Sequence, residues 1–464
     1  EDDYAPVTIA LSPEGSSENG RLTNAGHGKG AMRIGAVSLM PADTIHGMRR
    51  DTLEALKRLN AAVYCWPGGS FADSYDWRDG IGERDRRPPR FDPVWERVES
   101  NDFGFDEFIT LCAETGAEPL VIVNSSAGNV HLAVDELRYA NETGVNGPAK
   151  LRVSAGREEP CGVKWWGMGR QEHRTLQLTG PQLEDFRKRH NALAESLRGA
   201  DPGVRLLCIG GTKDRWRDAI AAGCALNVDL VSEQCCSELD GTPVGLMKNL
   251  ADDIRECAMA YRDLLQTVTE LGESGIQLAI DRWCYAFQRE SCPEEAEGVL
   301  TWAHGLGIAA GVHQFIRDSD VLGLAAYALA IGNLGAVCVS NAGACLTAAG
   351  EVLSLYRNHF GTEAIAVRDE CDPLDVVAAW SADRNALTFG VVNPLDEEAE
   401  VEVSLKEGEQ LAPETSWVVA ASEPGAANLP GREAAVTVEE RPVAFHDGVL
   451  TCPPRSAGIY RFHQ

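Results

Sequence analysis

The sequence predicts an α/β fold: a (β/α)8 TIM barrel followed by a C-terminal antiparallel β-sandwich domain. Between residues 34 and 363, short apolar strand patterns alternate with helical patterns, which is typical of a parallel sheet covered by helices. From residue 364 the segments become short and partly alternating, with Pro, Gly and Asn between them, which indicates antiparallel strands. We therefore expect a barrel at residues 34–363 and a β-sandwich at residues 364–464.

The N-terminal segment, residues 1–33, fits neither pattern. Residues 7–11 alternate weakly, as a strand does, and residues 12–30 are rich in Gly, Ser and Asn, as a loop is. One placement for this segment is an additional strand of the sandwich. The first residues are acidic and lack the apolar core of a signal peptide, although a leader removed earlier would leave no trace.

The barrel elements follow one another in a regular order. Short apolar runs predict strands at residues 34–39, 62–65, 119–123, 163–168, 204–209, 228–231 and 276–280. Apolar residues at helical spacing predict helices at residues 51–59, 105–115, 180–197 and 245–271. A closed barrel needs an eighth strand, and residues 311–316 and 322–331 both fit it. The region exceeds the roughly 250 residues of a bare barrel, which indicates long loops.

The sandwich strands are predicted from partly alternating segments. They lie at residues 376–379, 386–392, 400–405, 416–420, 435–439 and 458–462. Because one face of this domain would otherwise expose apolar side chains, we expect it to pack against the barrel.

Composition limits the partners. The chain has 464 residues, with 42 basic and 70 acidic side chains and a net charge of −28. This charge disfavours nucleic acid and anionic membranes, and no apolar run is long enough to span a bilayer. We therefore expect no nucleic-acid partner, no membrane and a small-molecule ligand.

The 14 cysteines form no CxxC pair, so we expect reduced, buried thiols in a cytoplasmic protein. The scattered histidines form no HExxH or paired Cys/His spacing, so no metal site is predicted. Gly167-Met-Gly169 lacks the third glycine of a dinucleotide fingerprint, and no phosphate loop is present, so no cofactor is expected.

Ordered short motifs run along most of the chain. Three of them are Trp66-Pro-Gly-Gly69, Tyr75-Asp-Trp-Arg-Asp-Gly-Ile-Gly82 and Val163-Lys-Trp-Trp-Gly167. Others lie at residues 37–43, 84–88, 101–104, 118–124, 374–377 and 391–394. Together they resemble the family-51 glycoside hydrolases, the α-L-arabinofuranosidases, over roughly residues 34–464. The resemblance implies the same barrel and sandwich.

The resemblance also implies that both catalytic carboxylates are missing. Retaining glycosidases need an acid/base and a nucleophile about 5–5.5 Å apart. The family's acid/base Glu follows Asn in a Trp-Gly-x-Gly-Asn-Glu motif, where this chain has Arg170 and Gln171. The family's nucleophile stands in an Asp-Glu-Trp motif, which here is Asp281-Arg282-Trp283. An amide is a poor acid and a guanidinium is a fixed cation, so the chain resembles a pseudoglycosidase.

Other family pocket positions have changed as well. The family's Arg before Trp-Pro-Gly-Gly is Cys65 and the Asn after it is Ser70. The family's Ser-Glu-His and two aromatics read Ser232-Glu233-Gln234-Cys235-Cys236, and its Gln on the last strand corresponds to Ala330. The changes fall on pocket positions while turn and packing motifs survive. We therefore expect a folded barrel with a different pocket.

The predicted site residues have alternative roles. Glu233 is the candidate general acid/base, and Gln171 and Arg282 occupy the family's catalytic positions. The candidate ligand-binding residues are Arg170, Trp66, Asn124, Gln234, Cys236, Asp281, Trp283, Tyr285, Cys65 and Ser70. The aromatic residues form either a stacking wall or core. Asn124 and Asp281 either bond hydroxyls or hold strand ends. Strand alternation allows at most one of Cys235 and Cys236 to face inward.

The two arginines also have two interpretations. Arg170 and Arg282 facing one pocket would form a site for a carboxylate or phosphate. Alternatively, each guanidinium pairs with a nearby acid, for which Glu172, Glu233 and Asp281 are available.

Three functions are compatible with the sequence. The leading hypothesis is a repurposed pseudoglycosidase that binds a sugar-like or anionic ligand at the barrel's C-terminal face. It would catalyse a non-hydrolytic step such as isomerisation, elimination or cyclisation. The second is a non-catalytic binding or regulatory protein. The third is residual α-L-arabinofuranosidase activity through relocated carboxylates. The resemblance is also compatible with a homo-oligomer.

Overall fold

The structure, a computed structural model, describes most of the chain after residue 42. The described residues are 43–92, 96–125, 130–144, 146–169, 181–208, 223–224, 227–239, 241–286, 298–368, 372–404 and 411–463. The N-terminal segment and the strand predicted at residues 34–39 lie outside them. Met40–Gln464 forms one compact unit.

The barrel wall is a seven-stranded parallel sheet in the order β1-β4-β5-β6-β7-β8-β9. Its strands are β1 Val63–Trp66, β4 Glu118–Val123, β5 Trp165–Met168, β6 Arg205–Cys208, β7 Leu230–Glu238, β8 Gln277–Ala286 and β9 Leu322–Tyr327. The sheet curves so that its two end strands, β1 and β9, approach each other. The predicted TIM barrel is thereby confirmed.

Helices cover the outside of this sheet. They are α1 Arg50–Leu59, α2 Phe105–Thr115, α3 Val130–Asn141, α4 Gly147–Ser154, α5 Pro181–Ala200, α6 Pro243–Thr267, α7 Thr269–Gly272, α8 Trp302–Arg317 and α9 Ala348–His359. Helix α2 shows why they form. The side chain of Glu107 accepts the backbone N–H of Gly104 at the helix start, and Gly116 ends the helix at φ 74°. Its apolar residues are buried at helical spacing.

The eighth strand predicted for the barrel corresponds to β9. Residues 322–327 form β9, whereas residues 311–316 lie inside α8, so the alternative placement at 311–316 is wrong. The physical reason is burial. Almost every residue of α8 from Trp302 to Gln314 is buried, so the helix has no exposed polar face and lacks an amphipathic pattern.

The C-terminal domain contains two antiparallel sheets, as predicted. The larger has the order β12-β13-β14-β20-β16-β17 and the smaller β15-β19-β18. Their strands are β12 Glu363–Ile365, β13 Asp375–Trp380, β14 Ala386–Asn393, β15 Ala399–Glu402, β16 Ala412–Ala420, β17 Thr437–Arg441, β18 Phe445–His446, β19 Val449–Cys452 and β20 Ser456–His463. Two hairpins lie outside these sheets, β2 Arg90–Asp92 with β3 Arg97–Glu99, and β10 Val337–Ser340 with β11 Gly343–Leu346.

A buried polar cluster joins the barrel to the sandwich. His313 of α8 is fully buried, and its Nδ1 lies 2.9 Å from Oδ1 of Asp375 in β13. Its Nε2 contacts the hydroxyl of Tyr356 in α9, and Arg317 also pairs with Asp375. Burial alone would raise the pKa of Asp375, but His313 and Arg317 together hold it at about 2. The expected packing of the sandwich on the barrel is therefore confirmed. The contact between them includes the ion pair of Arg317 with Asp375.

Replacing Asp375 by Asn should destabilise the protein at neutral pH and much less in acid. The folded pKa of about 2 lies below the ordinary value of 3.8, so the carboxylate stabilises the fold above pH 3.8. That stabilisation, on the order of 2 kcal/mol, is lost as the pH falls through 2. Urea unfolding of both proteins across this pH range measures it.

The matched control is Asp396→Asn, because Asp396 pairs with Arg455 but its side chain is 83% exposed. This variant should stay within about 0.5 kcal/mol of the original protein at every pH. Equal effects of the two variants would contradict the role assigned to the buried cluster.

Candidate functional site

The outward side chains of β7 identify the face that lines the barrel interior. Cys235 is buried against Cys257 of α6, and the hydroxyl of Ser237 donates to Asp253 of the same helix. Because side chains alternate along a strand, Gln234 and Cys236 face the barrel interior instead. The expectation that at most one of the two adjacent cysteines faces inward agrees with this geometry.

The side chains of β8 also alternate between the barrel interior and the surrounding helices. Trp283 packs edge-to-face on Phe315 of α8 at 5.0 Å, and the Tyr285 hydroxyl donates to the carbonyl oxygen of Leu246 in α6 at 2.9 Å. These contacts place both aromatic side chains on the helix side of the sheet. Arg282 and Cys284, which alternate with them, therefore face the barrel interior.

A β-bulge at Asp281 produces this orientation. The pairing of β7 with β8 shifts between Glu233 and Gln234, which pair with Ile280 and Arg282, so Asp281 is an extra residue in β8. Before the bulge, Ala279 belongs to the interior cluster of the barrel, and Ile280 packs with the outer core. Without the extra residue, Arg282 would share the outer face with Ile280.

Arg282 is therefore a buried cation at the inner wall of the barrel. It is 8% exposed, pairs in register with Gln234, and hydrogen-bonds the thiol of Cys284. Asp281, 3% exposed, precedes it. Arg170, the second predicted cation, lies outside the described residues, so the anion site and the ion-pair alternative both stay predictions.

A cavity of about 990 Å³ opens along the edge between β1 and β9. Its lining includes five residues at sequence-predicted pocket positions: Cys65, Asp281, Arg282, Trp283 and Ala330. The Asp281-Arg282-Trp283 stretch of β8 lines one part of this cavity.

Glu233 occupies a less favourable position for acid/base chemistry. Strand alternation puts it on the same face as Val231 and Cys235, which belong to the outer core. Its Oε1 accepts the backbone N–H of Gln234 at 2.9 Å, which helps to fix the bulged region. This contact favours a supporting role for Glu233, in which it holds the backbone of β7, over the predicted role as general acid/base.

Other predicted site residues contribute to packing. Trp66 stacks on Phe108 of α2 at 5.8 Å, which favours the core interpretation for its ring. Asn124 is buried and its Nδ2 donates to the carbonyl oxygen of Tyr75 at 3.1 Å, so it holds the end of β4. Ser70 lies in the 3-10 helix Gly69–Asp73.

Gln171, which the sequence analysis predicts at the family's acid/base position, lies outside the described residues, as do Glu172 and His173. The inward Cys284 was not predicted as a site residue. The sequence indicates an inward Cys284 only through its position two residues after Arg282. Its pairing with Cys236 can be recognised only when the register of β7 and β8 is known.

The described residues contain neither a cluster of metal ligands nor a membrane-spanning helix. Within the described ranges, no group of three or more His, Cys, Asp or Glu side chains could hold a metal ion. No helix in that part of the chain is both long and apolar enough to cross a membrane.

Comparison with known proteins gives consistent matches. The family models for the α-L-arabinofuranosidase 1 domain and the α-L-arabinofuranosidase C-terminal domain match residues 55–230 and 281–456. A probable α-L-arabinofuranosidase C of Aspergillus flavus is 27% identical over 89% of both chains. An exo-α-(1→6)-L-arabinofuranosidase of Bifidobacterium longum is 27% identical over 55% of this chain and 52% of its own length. The α-L-arabinofuranosidase of Thermotoga maritima, solved as an arabinose complex, aligns with a TM-score of 0.79 and 25% identity over 92% of both chains.

Replacing Tyr285 by Phe tests the division between the two faces of β8. The variant loses the hydrogen bond to Leu246, so its free energy of unfolding should fall by about 1 kcal/mol. The affinity for a ligand bound inside the barrel, measured by titration calorimetry, should be unchanged because the Tyr285 ring packs on the helix side of the sheet. A large loss of affinity without a loss of stability would show that Tyr285 faces the ligand.

Proposed function

Because the chain belongs to the α-L-arabinofuranosidase family, we propose that it binds a small sugar-like or anionic ligand at the carboxyl ends of the barrel strands. We propose further that it does not cleave glycosides by the two-carboxylate mechanism. The observation that carries this proposal is the inward-facing, buried guanidinium of Arg282 on β8.

The positive charge of Arg282 is the first argument against glycoside cleavage. Glycoside hydrolysis passes through a transition state resembling an oxocarbenium ion, which a neighbouring carboxylate stabilises. A unit positive charge about 4 Å away would instead oppose it by about 4 kcal/mol at an effective dielectric constant near 20. That corresponds to a rate about a thousandfold lower, in addition to the loss of the nucleophile itself.

Hydrogen-bonding capacity is the second support. The arginine offers five N–H donors, the carboxylate of Asp281 accepts, and the inward amide of Gln234 does both. Such a set suits a polyhydroxylated ligand with a carboxylate or phosphate, since guanidinium binds both anions in a bidentate manner. The neutral Gln171 at the family's other catalytic position adds an amide rather than an acid.

The bound ligand either reacts without hydrolysis or is only bound. Isomerisation, elimination or cyclisation would use Arg282 to stabilise developing negative charge, with an acid/base from a neighbouring strand. A purely binding or regulatory protein would use the same contacts without turnover. Localisation in the cytoplasm and a homo-oligomeric assembly belong to this proposal as expectations.

A second candidate function is residual α-L-arabinofuranosidase activity. The names of the relatives favour it, and Asp281 places a buried carboxylate beside the family's nucleophile position. Glu233 on the neighbouring strand would have to supply the acid.

Turnover of 4-nitrophenyl α-L-arabinofuranoside separates the two functions. We expect a rate indistinguishable from that of the buffer, because Arg282 replaces the nucleophile. A measurable rate abolished in both Glu233→Gln and Asp281→Asn, with folding verified by circular dichroism, would establish the second function and overturn the first.

Ligand charge provides an independent prediction. L-arabinonate, the aldonate anion formed when C1 of L-arabinose is oxidised to a carboxylate, should bind more tightly than L-arabinose. Arg282→Gln should weaken its binding by 10-fold or more, about 1.4 kcal/mol or above. Titration calorimetry measures both. Arg205→Gln is the control, because Arg205 is exposed at the opposite, amino end of β6 and should have no effect. Equal affinities in all three proteins would contradict an anion site at Arg282.

A further inference from the structure

The inner faces of β7 and β8 bring two thiols together. Cys236 and Cys284 pair in register on these neighbouring parallel strands, and their Sγ atoms lie 3.5 Å apart. Neighbouring strands are about 4.7–4.9 Å apart, and disulfides form across Cα–Cα separations of roughly 4.4–6.8 Å. The backbone therefore already has the spacing that a disulfide requires, and only the side chains must rotate.

We propose that Cys236 and Cys284 are a site of oxidative modification, a dithiol that a low-molecular-weight disulfide such as oxidised glutathione converts into an intrachain disulfide across β7 and β8. The proposal does not depend on the proposed function, since its product is a covalent bond that is measured directly.

The environments of the two thiols suggest the order of the steps. Cys236 is half-buried, whereas Cys284 is fully buried. The hydrogen bond with Cys236, together with burial, raises the pKa of Cys284 well above its ordinary value, and Arg282 opposes that rise only in part. Cys284 is therefore protonated at neutral pH, and exchange begins at the more accessible Cys236.

The chemistry balances with the small disulfide as oxidant. The Cys236 thiolate attacks one sulfur of the small disulfide, which forms a mixed disulfide and releases one small thiolate. In the mixed disulfide the Cys236 thiol that raises the pKa of Cys284 is gone; Cys284 loses its proton as it reacts, attacks the Cys236 sulfur, forms the protein disulfide and releases the second small thiolate. The two protons lost by the protein convert these thiolates to thiols, so the protein is oxidised by two electrons and the oxidant is reduced by two.

Oxidation would change the wall that carries Arg282. The bond replaces two S–H groups with one fixed linkage, and it removes the thiol that Arg282 contacts. It also joins positions separated by 48 residues, so it restricts the unfolded chain and should raise the unfolding temperature by several degrees.

The test uses the folded 464-residue chain with Cys338 and Cys345 both replaced by serine. These two residues form the other registered cysteine pair, on the β10–β11 hairpin, and their removal leaves the barrel pair as the only registered pair among the described strands. After native incubation with oxidised glutathione and trapping of the remaining thiols, mass spectrometry should show the loss of two hydrogen atoms. Peptide mapping should show a linkage between Cys236 and Cys284.

Three further variants and one chemical probe test whether the linkage forms between these two cysteines. Cys236→Ser and Cys284→Ser in the same background should each abolish the linkage, and Cys235→Ser, the outward neighbour, should leave it intact. Phenylarsine oxide bridges two close thiols. In the background protein, which keeps both Cys236 and Cys284, it should protect these two cysteines from alkylation. Persistent mixed disulfides, a linkage to another cysteine, or no protection by the arsenical would overturn the proposal.

Discussion

One extra residue, Asp281, sets the arrangement on which the rest of the site depends. Regular alternation would continue the outer face from Ile280 to Arg282 and bury a guanidinium among the apolar side chains of the helix layer. Burial of an ion in such surroundings costs several kcal/mol even after relaxation. The bulge instead turns Arg282 and Cys284 inward, and it turns Trp283 and Tyr285 outward to fill the space against α8 and α6.

Much of the fold is predictable because burial patterns repeat along the chain. Helix α2 agrees with its predicted bounds, since its apolar spacing and both ends are encoded locally by Glu107 and Gly116. Prediction failed where local pattern disappears. Helix α8 is buried on nearly all sides, so its residues fit a central strand equally well. Strands as short as Phe445–His446 carry too few residues to show alternation.

The site was only partly predictable, for a related reason. Motif positions identified Arg282 and Asp281 as pocket residues, and both line the cavity. Motifs do not specify which face a side chain takes, and that depends on strand register. Trp66 and Tyr285 were candidates for a stacking wall, yet they pack on α2 and α6. The pairing of Cys236 with Cys284 joins positions 48 residues apart, which no local pattern records.

The two faces of β7 and β8 also explain how a barrel can keep its fold while the residues on its inner face vary. The outward residues hold the helices against the sheet. Ser237 and Tyr285 donate hydrogen bonds to Asp253 and to the carbonyl oxygen of Leu246. Trp283 packs on Phe315. Inward residues such as Arg282 and Gln234 share few of those contacts, and substitutions at separate contact networks are nearly additive in stability. A change on the inner face therefore costs the helix packing little. Likeness of overall structure follows from the outer contacts, whereas any reaction depends on the inner ones, so alignment with an α-L-arabinofuranosidase does not by itself determine what the inner face of this barrel does.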